Sequence, residues 1–230
     1  MKKNLVTLMR LLQFTDSAFP VGTFSFSNGL ETAAYEKLVY DAATLEAYAR
    51  SIALQAAYSD GVVALHAFRA ASEGNYEKLL DADRQLILFK MNDESRQMLR
   101  RMGKKLAELS THIFDNPMLR KWLDDIGSET APGTYPVAQG LVFSMAGLSE
   151  GDLFCSHQYG VINMVLSAAL RCVKVSHYDT QRILFRLSEQ SQEMYEEVRT
   201  MAFEDMNAFV PQIDILASLH EKGNMRMFMN

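Results

Sequence analysis

Cysteine is scarce in this sequence: Cys155 and Cys172 are the only two among 230 residues. Both fall in one helical stretch that would hold them roughly 25 Å apart, far beyond the reach of a disulfide. Two unpaired thiols suit a reducing compartment, so cytoplasm is the expected location. Long apolar runs are missing too. No stretch approaches the ~20 consecutive apolar residues that cross a bilayer. The opening residues Met1-Lys2-Lys3-Asn4-Leu5 carry two lysines but no apolar run or cleavage site, so neither membrane insertion nor secretion is expected. Positive charge is in deficit: 23 Lys and Arg stand against 28 Asp and Glu, a net −5. A protein whose main task is gripping phosphate backbones would be basic, so no nucleic-acid partner is expected.

Signatures of catalysis are also lacking. The five histidines, His66, His112, His157, His177 and His220, form no His-Glu-x-x-His pair and no recurrent zinc spacing. There is no Gly-x-x-x-x-Gly-Lys-Ser/Thr loop for nucleotide phosphates and no Gly-x-Ser-x-Gly elbow. Cys155-Ser156-His157 offers two soft ligands, but on a helix they point roughly 200° apart and could share an ion only if the helix unwound there. Asp152, Asp179, Asp205 and Asp214 read as caps or solvated groups. The expectation is no catalytic residue, no metal ligand and no tightly bound cofactor.

What the chain has is helical periodicity. Alternating strand patterns are nearly absent. Leu99, Met102, Leu106, Leu109 and Ile113 recur at steps of three and four, as do Leu184, Leu187, Ser191, Met194, Val198 and Met201. Each series is one apolar stripe along a helix. The pattern predicts helices near 3–14, 29–39, 42–72, 76–91, 94–113, 117–125, 136–147, 151–176, 179–205 and 211–219. Asp41, Gly74-Asn75 and Asn116-Pro117 supply caps and stops. The fold class expected is all-α: one bundle-like domain of about ten helices over residues 1–230. Gly140, Gly147, Gly151 and Gly160 suit either tight core packing or a dimer seam. Arg96, Arg100, Arg101, Lys104 and Lys105 suit a solvated face or a patch for an acidic partner.

One stretch departs from this regularity. Residues 16–31 read Asp-Ser-Ala-Phe-Pro-Val-Gly-Thr-Phe-Ser-Phe-Ser-Asn-Gly-Leu-Glu. Pro20 and Gly22 break the helix, and Phe24 and Phe26 alternate with the hydroxyls of Thr23, Ser25 and Ser27. Asn28 and Glu31 have the spacing of a capping box for the next helix. The other departure is the tail, residues 221–230, which carries Met225, Met227, Phe228 and Met229 without helical pattern. Such a terminus is either folded back or held by another protein.

The first stretch, led in by Leu11-Leu12-Gln13, resembles the opening motif of the urease accessory protein F family, matching at Asp16, Ser17, Pro20, Gly22, Phe24, Ser25, Ser27, Gly29, Leu30 and Glu31. Asp214-Ile-Leu-Ala-Ser-Leu-His220-Glu221 with Arg226 and Phe228 resembles the family's ending, and Tyr135-Pro-Val-Ala-Gln-Gly140 an internal motif. Phe26 stands where many relatives have His, and Met227 where Leu is usual. The resemblance implies a non-catalytic assembly factor. It would bridge the accessory GTPase (G) and the D/H scaffold on apo-urease, with nickel handled by the complex rather than by this chain, and act as a homodimer. The implied partner-binding residues are Phe24, Ser25, Phe26, Ser27 and Glu31 in a recognition loop (16–31), Glu221, Arg226 and Phe228 in a docking tail (221–230), and His220 just before that tail. The competing readings are a helical metallochaperone or metal enzyme that ligates nickel directly through Cys155, His157 or His220, and a general helical interaction module.

Overall fold

A computed structural model describes residues 4–207, 210–221 and 227–228, with the side chains of Phe24 and Glu221 outside that description. Among the described residues there is no strand. The helices are α1 (Leu5–Thr15), α2 (Leu30–Tyr35), α3 (Ala42–Ala56), α4 (Val62–Ser72), α5 (Tyr76–Phe89), α6 (Asp93–Thr111), α7 (Pro117–Gly127), α8 (Tyr135–Met145), α9 (Glu150–Cys172), α10 (His177–Ser188), α11 (Ser191–Val198) and α12 (Pro211–Glu221). A π-turn at Ala57–Gly61 joins α3 to α4 without a break, as the single expected helix over 42–72 requires.

The ends follow local chemistry. Asp41, Asn75 and Asn116 accept hydrogen bonds from first-turn amides as expected. Asp152 and Asp179 complete capping boxes with Ser149 and Ser176. The expected Asn28–Glu31 box does not form. Asn28 and Gly29 are both left-handed (φ 52° and 77°), whereas an N-cap side chain reaches its amide from the β region. The Asn28 amide points to the Met164 sulfur instead, and Glu31 turns toward the far end of the chain.

Two apolar cores share one axis. The first gathers α4 to α8 around Trp122, Phe143 and Phe154. There α8 crosses α4 so closely that a Cβ on Gly140 would lie 2.6 Å from the Ala64 carbonyl oxygen. The second gathers α2, α3, α10 and α12 around Leu30, Leu45, Ile183 and Leu216. The long helix α9 serves both, giving Leu153 and Phe154 to the first and Ile162, Val165 and Leu166 to the second. Among the described helices, α9 alone is long and apolar enough to cross a bilayer, and 61% of that window is buried inside the fold. That is the environment of a core helix.

The expected helix over 179–205 is broken in two. Ile183 and Leu187 belong to the second core, but Met194 and Val198 belong to the first. One straight stripe cannot face both. The chain turns at Glu189 and Gln190, whose amides bond three residues back to Arg186 and Leu187, and restarts as α11.

Candidate functional site

The loop after α1 is held at each step. The Ala18 amide donates to the Asp16 carboxylate at 2.8 Å, the Asx turn that short acidic side chains favour. Gly22 is left-handed (φ 89°) and begins a 3-10 turn at Thr23–Ser25. From there the chain dips inward at regular intervals. Val21 enters the first core and Leu30 the second. Phe26, 5% exposed, packs with Met102 and Met164 in a small cluster between α6 and α9. Aromatic–thioether contacts of this kind add modestly to burial. Ser27 is wholly buried, Ser25 half-buried. The Tyr48 hydroxyl donates to the Asn28 carbonyl at 2.7 Å. Gly29 lies so near the Ala217 amide and Tyr48 hydroxyl that its Cβ would be 3.1 Å from each. The motif thus ties three apolar clusters together within ten residues.

Glu31 carries the motif to the other terminus. One of its carboxylate oxygens accepts from the Met227 amide at 2.8 Å. The other accepts from the Phe228 amide at 3.1 Å and lies 2.9 Å from His220 Nε2. His220, itself buried, places Nδ1 3.1 Å from the buried Glu94 on α6. Burial pushes the Glu31 carboxyl upward, but the amides of Met227 and Phe228 and the His220 ring outweigh it and hold the group below the ordinary carboxylate range. An imidazole between two carboxylates closes α2, α6 and α12 into one clamp.

Of the residues named from the sequence, Glu31, His220 and Phe228 are therefore brought together, while Phe26 and Ser27 are buried within the loop. Phe228 is not displayed. It is 5% exposed within the second core, with the Arg171 guanidinium 5.0 Å over its ring. At this end Met227 faces outward, 58% exposed. The Phe24 side chain, the Glu221 side chain and Arg226 lie outside the described residues. Loop residues Asp16, Ser17, Phe19 and Thr23 face Tyr159 and Asn163 of α9 across a narrow cleft of about 70 Å³.

Several structural polar groups had no sequence signal. Glu94 and Tyr48 belong to no motif, and the fold brings them to His220 and the Asn28 carbonyl. Asp60, in the π-turn, forms a buried ion pair with Lys90. His157 Nδ1 lies 2.8 Å from the Gln139 side-chain oxygen, so the proton sits on Nδ1, and Nε2 has no hydrogen-bond partner among the described residues. Burial is the main reason the ring's pKa falls to about 4. Cys155 is exposed on α9 while His157 is buried, and His220 is engaged in the clamp, so the three are not gathered at one point. No group of three or more His, Cys, Asp or Glu side chains among the described residues is arranged to hold a metal ion.

A family model described as UreF matches residues 39–188. Urease accessory protein UreF 2 of Brucella canis is 45% identical over 228 residues, covering 99% of this chain and 94% of the relative. Urease accessory protein UreF of Photorhabdus laumondii is 41% identical over 227 residues, covering 99% of this chain and all of the relative. The UreF of Yersinia pseudotuberculosis is 40% identical over the same length.

Proposed function

The chain belongs to the UreF family of urease accessory proteins, and on that premise we propose that it is a non-catalytic assembly factor of urease maturation. In this reading it bridges the accessory GTPase and the D/H scaffold on apo-urease in the cytoplasm, as a homodimer. It couples the GTPase's nucleotide state to nickel insertion. Nickel belongs to the complex, and this chain contributes contact surfaces.

The observation that carries the reading is the outward face of α1. Leu5, Met9 and Leu12 are 79%, 67% and 57% exposed, while Phe14 at the same helix's end is buried. Leu5, Leu8, Met9 and Leu12 share one side of the helix by their spacing. A contiguous apolar stripe left in water is the mark of a surface that meets another protein. The titratable groups that most invite a catalytic role, His157, His220, Asp60 and Glu94, are all engaged in holding helices together.

To shift an equilibrium the chain needs only to bind one nucleotide state of the GTPase better than the other. The test is a pull-down of the accessory GTPase by this chain, with and without the D/H protein, in GDP and in a non-hydrolysable GTP analogue. Retention that depends on the nucleotide supports the proposal. No retention in either state, with the scaffold present, overturns it.

A further inference from the structure

Four cations surround one groove. Arg84 of α5 and Arg100, Arg101 and Lys104 of α6 line an open cavity of about 510 Å³ whose far wall is the segment 129–132. Arg100 and Lys104 lie one helical turn apart on the same face. The neighbouring cations of α6 are already satisfied: Arg96 pairs with Asp93 at 2.9 Å and Lys105 with Glu108 at 3.6 Å. Among the described residues Arg84, Arg100 and Lys104 have no ion-pair partner. Glu129 is the one carboxylate among the lining residues. In a chain of net charge −5, this is a local reversal of sign.

The groove is rigid. Asp83, buried on α5, accepts from the amides of Gly133 and Thr134 at 2.8 Å each, from the Thr134 hydroxyl at 2.6 Å and from Trp122 Nε1 at 3.1 Å. That one carboxylate fixes the wall to α5 and α7. On the other side, Gly103 lets α6 touch the wall's backbone directly: a Cβ there would lie 2.1 Å from the Gly133 carbonyl oxygen. The amides of Thr130 and Ala131 both donate to the Asp125 carbonyl, and the half-buried Pro132 and Ile126 give the groove an apolar surface. Cations presented on a fixed frame lose little freedom when a ligand arrives.

We propose that this groove is a docking site for an acidic segment of a partner protein, a run of Asp and Glu interrupted by an apolar side chain. Charge complementarity selects the occupant. The positive charge is confined to one concave site, not spread along a track as a nucleic-acid backbone would need. Pro132 and Ile126 in the groove suit a peptide's apolar side chain. The inference does not rest on the urease reading, since the same chemistry would operate with any acidic partner.

The test uses the full chain and a fluorescein-labelled peptide of alternating Glu and Leu, followed by anisotropy at about 0.15 M ionic strength, where exposed charges are already screened beyond roughly 8 Å. Two controls accompany it: the same peptide with Gln for Glu, and a labelled oligothymidylate. The expected result is saturable binding of the acidic peptide, weakened about tenfold by the pair Arg100→Glu and Lys104→Glu, reversal of charges facing a complementary ligand. The neutral pair Arg100→Gln and Lys104→Gln should weaken it less, and the remote pair Lys37→Glu and Lys174→Glu should leave it unchanged. Melting temperatures equal to wild type accompany each variant, and if the reversed pair does not fold, the neutral pair carries the comparison. Absence of saturable binding, equal loss in the remote pair, equal affinity for the Gln peptide, or tighter binding of oligothymidylate each overturns the proposal.

Discussion

The Glu31 carboxylate accepts the Phe228 amide at 3.1 Å across 197 positions of sequence. The same side chain takes the Met227 amide and faces His220. Opening motif and closing tail are therefore one structural unit. Whatever surface this chain offers a partner at that end is shaped by both at once. The position of Met227 on the outside depends on the burial of Phe228 beside it.

Replacing Glu31 with Gln should loosen this unit. One carbonyl acceptor survives, but the other oxygen becomes an amino group that meets backbone donors. A loss of about 1–3 kcal/mol in unfolding free energy is expected, the usual range for charge-assisted hydrogen bonds, measured by urea denaturation at neutral pH. Because the folded protein holds this carboxyl below its ordinary range, its contribution is complete above the unfolded-state value and is lost as pH falls through the lowered one. The gap between wild type and Glu31→Gln should therefore close in acid. A gap that stays constant from neutral to acidic pH would contradict the assignment.

Phe228→Ala should cost about 3–5 kcal/mol, as for other buried aromatic truncations, while Met227→Ala should stay within about 0.5 kcal/mol, as at exposed sites. Removing residues 222–230 should likewise lower the melting temperature, because it takes Phe228 from the second core. Equal stability of Phe228→Ala and wild type would show that the tail is not packed as described.

Two glycines should behave oppositely. Gly103→Ala forces a Cβ against the Gly133 backbone and should destabilise by more than about 3 kcal/mol, since backbone cannot yield as a flexible side chain can. Gly160→Ala, mid-helix with nothing within 4 Å, should stabilise by about 0.5–1 kcal/mol through helix propensity. Thermal melts of the two variants give the comparison directly, and the reverse order would refute both packing arguments.

His157 should impose an acid limit. Its folded pKa of about 4 lies below the ordinary 6.5, so the unfolded chain takes up the proton first. Its contribution to stability is full above pH 6.5 and is lost as pH falls toward 4. His157→Asn keeps a donor for Gln139 and removes the titration. Its stability should fall less steeply across that window than that of wild type. Parallel slopes would mean that the ring is not buried in neutral form.

Much of the fold was legible because most helices carry their own start, stop and stripe. Asn116-Pro117, Gly74-Asn75 and the Leu99–Leu106 series act locally, and the structure follows them. The break at Glu189-Gln190 was not legible, since the stripe on either side is continuous and only the existence of two cores divides it. The loop at 16–31 announced itself by Pro20, Gly22 and paired aromatics. What it does structurally did not, because Phe26, Leu30 and Glu31 find their partners on α6, α9, α12 and the tail. Glu31 and Asn28 have the spacing of a local cap, yet two distant backbone amides and a buried histidine outcompete it. Glu94, part of no motif, meets His220 only when the fold brings together residues 126 apart in sequence.

The central claim is that this chain works by contact with other proteins. Its most direct test is size-exclusion chromatography with light scattering on the chain mixed with the accessory GTPase and the D/H protein. The expected result is a single species whose mass contains all three and which dissociates when Leu5, Met9 and Leu12 are replaced by Ser. Separate elution of the three proteins at their individual masses would contradict it.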